Sequence, residues 1–124
     1  MKRILIADDE EILRMLMVDS LEDEGYEIDE AEDGLDAIGK LDNNDYDLLL
    51  VDYMMPGATG LEVIEHVRKG AKNSRIKIVM LTAKTQKEDE ERAKSFGANF
   101  FLGKPFSPNK LVGLIGEIFN DKES

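Results

Sequence analysis

Short apolar runs alternate with amphipathic segments along the whole chain. The apolar runs predict five strands, at 2–7, 26–31, 47–52, 77–81 and 99–103. The first, third and fourth runs are apolar on both faces, which favours a parallel sheet buried on both sides. Because such a sheet must be covered on each face, the segments between the runs are expected to supply helices.

Four of the other segments carry apolar residues at helical spacing. These residues are Leu13, Leu16, Met17 and Leu21; Ala37, Ile38 and Leu41; Leu61, Ile64 and Val67; and Leu111, Leu114, Ile115, Ile118 and Phe119. The segment 84–96 is crowded with charges and predicts only a marginal helix. Five strand and helix units in alternation predict one doubly wound, open α/β sheet with right-handed crossovers.

Several polar and glycine residues refine the helix boundaries. Ser107 and Pro108 form an N-cap and first position for the last helix, and Thr59 is expected to begin the third. Gly113 and Gly116 lie inside the last helix, where each costs about 1 kcal/mol relative to alanine. We expect them to allow a close approach of this helix to the sheet or to a partner.

The bulk properties exclude several functions. A chain of 124 residues is the size of one domain with a single core. Its 27 acidic and 16 basic residues give a net charge of -11, which disfavours direct binding to nucleic acid. The absence of cysteine excludes disulfides and thiolate catalysis, and the sequence contains no apolar run of membrane-spanning length. We expect a soluble, cytoplasmic protein that does not bind membranes.

Polar residues gather at the carboxyl ends of the predicted strands, where open α/β sheets bind their ligands. They are Asp8 and Asp9, Asp52, Thr82 and Lys104. Two carboxylates ~5 Å apart repel by about 3 kcal/mol at an effective dielectric constant near 20, so this cluster predicts a bound cation. Mg²⁺ prefers oxygen ligands and commonly lies between carboxylates and a phosphoryl oxygen.

This arrangement also indicates a chemical role for Asp52. A carboxylate at a strand end can act as a nucleophile and form an aspartyl phosphate. Thr82 and Lys104 would then hold the phosphoryl oxygens, one by a hydrogen bond and the other by its charge. Each residue alone has a plainer explanation. The carboxylates could cap helices, Thr82 could be a satisfied hydroxyl in a loop, and Lys104 could be a solvated lysine before a turn proline. The combination of these residues, in this order along the chain, favours a phosphoryl-accepting site over the separate explanations.

Four segments together resemble the receiver domain of two-component response regulators, such as the chemotaxis receiver. They are ILIADDE (4–10), LLLVDYMMPGATG (48–60), VMLTA (79–83) and FFLGKPF (100–106), and the similarity covers essentially the whole chain. The resemblance implies a flavodoxin-like (βα)5 fold, an open parallel sheet with strand order 2-1-3-4-5. It also implies a receiver domain over 1–120, with 121–124 as a C-terminal tail or the start of a linker.

The resemblance implies that Asp52 accepts a phosphoryl group from a phosphohistidine of a sensor histidine kinase or of a histidine phosphotransfer protein. Mg²⁺, or Mn²⁺, would be bound by Asp9, Asp52 and the backbone carbonyl of Met54. Asp8 would reach the metal through water. Such a domain catalyses only its own phosphorylation and dephosphorylation, so it is not a conventional enzyme.

The same resemblance gives Thr82 and Lys104 contacts with the phosphoryl group and predicts a cis bond before Pro105. Thr82 and Phe101 would form a switch pair that changes the surface of the fourth helix, fifth strand and fifth helix. That surface would meet a downstream target or a missing output domain. A phosphorylation-dependent homodimer is a further expectation.

Two alternatives use the same residues differently. A Mg²⁺-dependent phosphatase of the haloacid-dehalogenase-like group would need a second acid two residues after the nucleophile, where this chain has Met54, and would need a cap domain. A receiver-like interaction module would never become phosphorylated. Incubation with a small phosphodonor distinguishes the module from the switch, and turnover of a phosphate ester identifies the phosphatase.

Overall fold

Strands and helices alternate along the chain, as the apolar pattern predicts. A computed structural model describes residues 1–83 and 87–120. The strands are β1 (Arg3–Ala7), β2 (Glu27–Ala31), β3 (Leu48–Asp52), β4 (Lys77–Ala83) and β5 (Phe100–Lys104). The helices are α1 (Glu11–Glu22), α2 (Gly34–Asn43), α3 (Gly60–Lys69), α4 (Lys87–Phe96) and α5 (Pro108–Asn120). All neighbouring strands are parallel, in the order β2-β1-β3-β4-β5, which confirms the fold class. The predicted tail, 121–124, lies outside the described residues.

Alternation along β3 explains the two-sided core. Leu48 and Leu50 pack in a cluster covered by α1 and α5, whereas Leu49 and Val51 pack in a cluster covered by α2, α3 and α4. Successive side chains of a strand point to opposite faces, so an unbroken apolar strand buries both. β3 therefore lies in the middle of the molecule and carries Asp52 at its carboxyl end.

The fourth strand is two residues longer than predicted. Thr82 and Ala83 continue β4 because they pair in register with Gly103 and Lys104 of β5. The ladder thus holds Thr82 and Lys104 at fixed positions on neighbouring strands, instead of leaving them in loops after the strand ends.

The predicted marginal helix forms a regular α4 over Lys87–Phe96. Ala93 is its buried residue, and Phe96 packs partly against the core. Three acidic side chains, Glu88, Asp89 and Glu90, lie in its first turn, where they interact favourably with the helix dipole. Helix-dipole electrostatics thus favour α4 where the apolar pattern is weak.

The expected close approach of α5 to the sheet at its glycines is wrong. A Cβ atom on Gly113 or Gly116 would meet nothing within 4 Å, because α5 packs through Leu111, Ile115 and Ile118. Close approach to a partner at these positions stays a prediction.

Both predicted N-caps are confirmed. The Ser107 hydroxyl accepts a hydrogen bond from the Lys110 amide at 3.1 Å, and α5 begins at Pro108. Thr59 begins α3 in a capping box with Glu62.

Arg68, near the end of α3, joins three parts of the fold. Its half-buried guanidinium donates to the carbonyl oxygens of Ser74 at 3.1 Å, Ile76 at 2.7 Å and Gly97 at 2.7 Å, and to Oδ1 of Asn99 at 2.9 Å. Burial lowers the pKa of this guanidinium. Two of these partners lie in the connection before β4, and two lie in the connection between α4 and β5. The hydrogen bonds of Arg68 therefore link both connections to α3.

Candidate functional site

The loop after β3 folds back tightly and fixes Asp52 at the edge of the sheet. The Gly60 amide donates to the carbonyl of Tyr53 at 2.8 Å, so α3 starts directly beside the strand end. A Cβ atom on Gly60 would lie 2.3 Å from the carbonyl oxygen of Asp52. Only glycine permits this approach, which leaves Asp52 7% exposed.

Lys104 brings three carboxylates together. Its Nζ lies 3.0 Å from Oδ2 of Asp52, 2.8 Å from Oε1 of Glu10 and 3.3 Å from Oδ2 of Asp8. The first two contacts are hydrogen bonds, whereas Oδ2 of Asp8 has no hydrogen-bond partner among the described residues. One ammonium group is thus shared by three acids.

The three carboxylates form a group that could hold a metal ion. Oxygens of Asp8, Glu10 and Asp52 all lie within 4.8 Å of one another. Asp8 is fully buried and Asp9 is exposed. Asp9 lines the same cleft as Glu10 and Asp52. The motif-based prediction did not include Glu10, and its sequence signal is a third acid directly after the Asp8 and Asp9 pair.

Burial sets the protonation of the cluster. Desolvation raises the pKa of Asp52 to about 6, although Lys104 acts in the opposite direction. Burial likewise raises the pKa of Asp8. Burial alone would lower the pKa of Lys104, but its hydrogen bonds to Glu10 and Asp52 outweigh desolvation and raise it. Lys104 is therefore a permanent cation beside two carboxylates, Asp8 and Asp52, whose pKa values are raised.

Replacing Asp52 with asparagine is expected to stabilise the metal-free protein. The pKa of Asp52 is raised by folding, so its stabilising contribution is complete below about pH 4 and is lost as the pH rises through about 6. Asp52→Asn should gain about 2–3 kcal/mol near pH 8, and about half of that near pH 5. Urea unfolding in EDTA, with exposed Asp45→Asn as the control, measures both values. A gain independent of pH would contradict the assignment.

Thr82 lies in β4, at the same edge of the sheet as this cluster. It is 1% exposed, and its Oγ1 has no hydrogen-bond partner among residues 1–83 and 87–120. Asp52 pairs in register with the preceding residue, Leu81, and Thr82 itself pairs with Gly103. Leaving a buried hydroxyl without a partner costs about 1–3 kcal/mol. Such a hydroxyl is suited to bind an oxygen of a ligand.

The other predicted residues surround this group. Phe101 is half-buried and packs against the core cluster under α2, α3 and α4. The bond between Lys104 and Pro105 is cis. Met54 is 65% exposed, and it lines a cleft of about 830 Å³ together with Asp9 and Lys104.

This geometry matches a known family. The family model of the response regulator receiver domain matches residues 4–116. The chain belongs to this family. It is 39% identical over 114 residues to the phosphate regulon transcriptional regulatory protein PhoB of Escherichia coli (strain K12), covering 92% of this chain and 50% of PhoB. It is 42% identical over 110 residues to the transcriptional regulatory protein ResD of Bacillus subtilis (strain 168), covering 89% of this chain and 45% of ResD.

Solved structures of response regulators have the same fold as this chain. The chemotaxis response regulator CheY4 of Vibrio cholerae has a TM-score of 0.91 and 33% identity, and the match covers 95% of this chain and 98% of CheY4. The response regulator TrrA of Thermotoga maritima, solved in complex with Mg²⁺-BeF, has a TM-score of 0.83 and 39% identity, covering 95% and 99%. The receiver domain spans about half the length of its curated relatives.

Among the described residues, no helix combines the length and the apolar character needed to cross a membrane.

Proposed function

We propose that this receiver domain is the phosphoacceptor switch of a two-component system, in which Asp52 takes a phosphoryl group from a phosphohistidine of a histidine kinase or phosphotransfer protein. The observation that carries the proposal is the contact between a buried carboxylate and an ammonium group at the carboxyl edge of the sheet, with a buried hydroxyl on the neighbouring strand β4. Asp52 supplies a buried carboxylate, Lys104 an ammonium 3.0 Å from it, and Thr82 a buried hydroxyl without a described partner.

Each of these groups would have a separate role in phosphoryl transfer. An oxygen of Asp52 attacks the phosphorus while the bond from phosphorus to the histidine nitrogen breaks, and the imidazole leaves with the bonding electrons. Lys104 and Thr82 stabilise the charge on the phosphoryl oxygens through a charged contact and a donated hydrogen bond. Asp52 must be ionised to attack, and its pKa of about 6 allows this at neutral pH.

A divalent cation fits beside Asp52. Asp8 is fully buried, and its Oδ2 has only an ionic contact with Lys104, at 3.3 Å, and no hydrogen bond among the described residues. One ammonium group shared by three acids leaves negative charge that a metal ion can neutralise. We place Mg²⁺, or Mn²⁺, with Asp52, Asp9 and the carbonyl of Met54, and with Asp8 through water. When bound, the ion neutralises negative charge on the transferred phosphoryl group.

The register of β4 and β5 supports Thr82 and Phe101 as the switch pair. Phe101 lies two positions before Gly103, the partner of Thr82, so both side chains are on one face of the sheet. A Cβ atom on Gly103 would meet nothing within 4 Å, which leaves open space between them. Movement of the Thr82 hydroxyl toward the phosphoryl group would let the Phe101 ring turn inward.

The output of the switch is a changed surface of α4, β5 and α5. Its target would be a separate protein, an output domain outside this chain, or a second phosphorylated copy in a homodimer. The chain's charge of -11 argues against DNA contact by the receiver domain itself. We place this activity in the cytoplasm.

Intact-protein mass after incubation with Mg²⁺ and acetyl phosphate tests the proposal. Wild-type protein is expected to gain the mass of one phosphoryl group, whereas Asp52→Ala should gain none. EDTA should also prevent the gain. A wild-type protein that stays unlabelled under these conditions would favour an interaction module that is never phosphorylated. Steady hydrolysis of an added phosphate ester would favour the phosphatase.

A further inference from the structure

Glu10 occupies a different position in the cluster from the other two acids. Its side chain is 60% exposed at the opening of the cleft, whereas that of Asp8 is fully buried and that of Asp52 only 11% exposed. Even so, the shortest contact of Lys104 is with Glu10, at 2.8 Å. Glu10, the most exposed acid of the cluster, thus makes the closest contact with Lys104, the only cation of the cluster among the described residues.

The backbone fixes Glu10 without using its carboxylate. The Glu10 amide donates to Oδ1 of Asp8 at 2.8 Å, and its carbonyl accepts the Arg14 amide at 2.9 Å at the start of α1. The Glu10 side chain makes no capping hydrogen bond within this described helix. The carboxylate is therefore available for Lys104, and an isosteric glutamine at this position would leave the backbone contacts in place.

We propose that Glu10 is a positioning residue that restrains phosphorylation: it holds Lys104 in the resting site and competes with an incoming phosphoryl group for that ammonium. This inference rests on the proposed function of Asp52. The contact of Lys104 with Glu10 competes with its contact with the phosphoryl group, because Lys104 must direct its charge to the phosphoryl oxygens during transfer. A carboxylate within 4.8 Å of Asp52 also repels an anionic phosphodonor that enters the cleft.

The rate of labelling by acetyl phosphate tests this role. Glu10→Gln should be phosphorylated about fivefold to tenfold faster than wild type at low salt, since clefts of one charge change the local concentration of charged ligands by such factors. In about 1 M salt, where the Debye length is about 3 Å, the advantage should shrink to about twofold. Glu11→Gln removes the same charge in the first turn of α1 and should label at the wild-type rate.

Glu10→Asp separates the contact from the charge. It keeps the charge but shortens the side chain by one methylene, so its carboxylate should lose the 2.8 Å contact with Lys104. Because the hold on Lys104 is lost and the charge is kept, Glu10→Asp should label faster than wild type and slower than Glu10→Gln. Labelling at the wild-type rate would show that holding Lys104 is not part of the restraint.

Three results would overturn the inference. Equal labelling rates in wild type and Glu10→Gln would show that Glu10 does not restrain phosphorylation, while Asp52 would remain the acceptor. Slower labelling of Glu10→Gln, with Mg²⁺ affinity weakened by tenfold or more, would make Glu10 a metal ligand. No labelling of any variant, wild type included, would overturn the proposed function as well.

Discussion

Replacing Lys104 with methionine is expected to slow phosphorylation by acetyl phosphate about 100-fold, because loss of one preorganised charged donor commonly costs that much. Lys104 lies 3.0 Å from the carboxylate that would receive the phosphoryl group. Methionine retains most of the apolar stem, so the packing of β5 is preserved. Timed intact-mass measurements in saturating Mg²⁺ give the rate.

The matched control is Lys110→Met, which removes the same charge from an exposed position in the first turn of α5. It should label at nearly the wild-type rate. Circular dichroism in Mg²⁺ should show that both variants are folded. Labelling of Lys104→Met at the wild-type rate would show that the ammonium group is not part of the reaction.

Arg68→Met is expected to lower the free energy of unfolding by about 3–4 kcal/mol. The substitution removes five hydrogen bonds, two of them to the carbonyl of Gly97. It leaves three backbone carbonyls without their donor, whereas Oδ1 of Asn99 keeps the amide of Ile78. Each buried polar group left unsatisfied costs about 1–3 kcal/mol, although water can replace part of the loss. Urea unfolding followed by circular dichroism measures the difference.

Arg75→Met serves as the control for Arg68, because Arg75 is exposed and the change in charge is identical. Its free energy of unfolding should stay within about 0.5 kcal/mol of wild type. A similar small loss for Arg68→Met would mean that solvent satisfies the carbonyls of Ser74, Ile76 and Gly97 as well as the guanidinium does.

The sheet could be predicted from sequence because its signal is local and strong. Residues 48–51 of β3 are apolar without interruption, and this pattern alone indicates a strand buried on both faces. The strand ends then bring Asp8, Asp52 and Lys104 to one edge. Their proximity could be predicted because the carboxyl ends of parallel strands share an edge.

The remaining features depend on long-range contacts that periodicity does not encode. The extension of β4 through Thr82 follows from pairing with β5, and the position of Gly113 follows from which face of α5 meets the sheet. The contacts of Arg68 with Gly97 and Asn99 join segments about thirty residues apart. The contact between Glu10 and Lys104 spans 94 positions, although the place of Glu10 directly after the Asp8 and Asp9 pair is a usable sign.

The helices differ in how firmly they are attached to the sheet. Five residues of α3 are buried, but α4 buries Ala93 and otherwise presents mainly charged side chains. Local opening takes less free energy where few apolar side chains are buried, so molecules with α4 displaced form a larger minority than molecules with α3 displaced. The proposed phosphorylation of Asp52 would then act by changing the population of that conformation, at a small energetic cost.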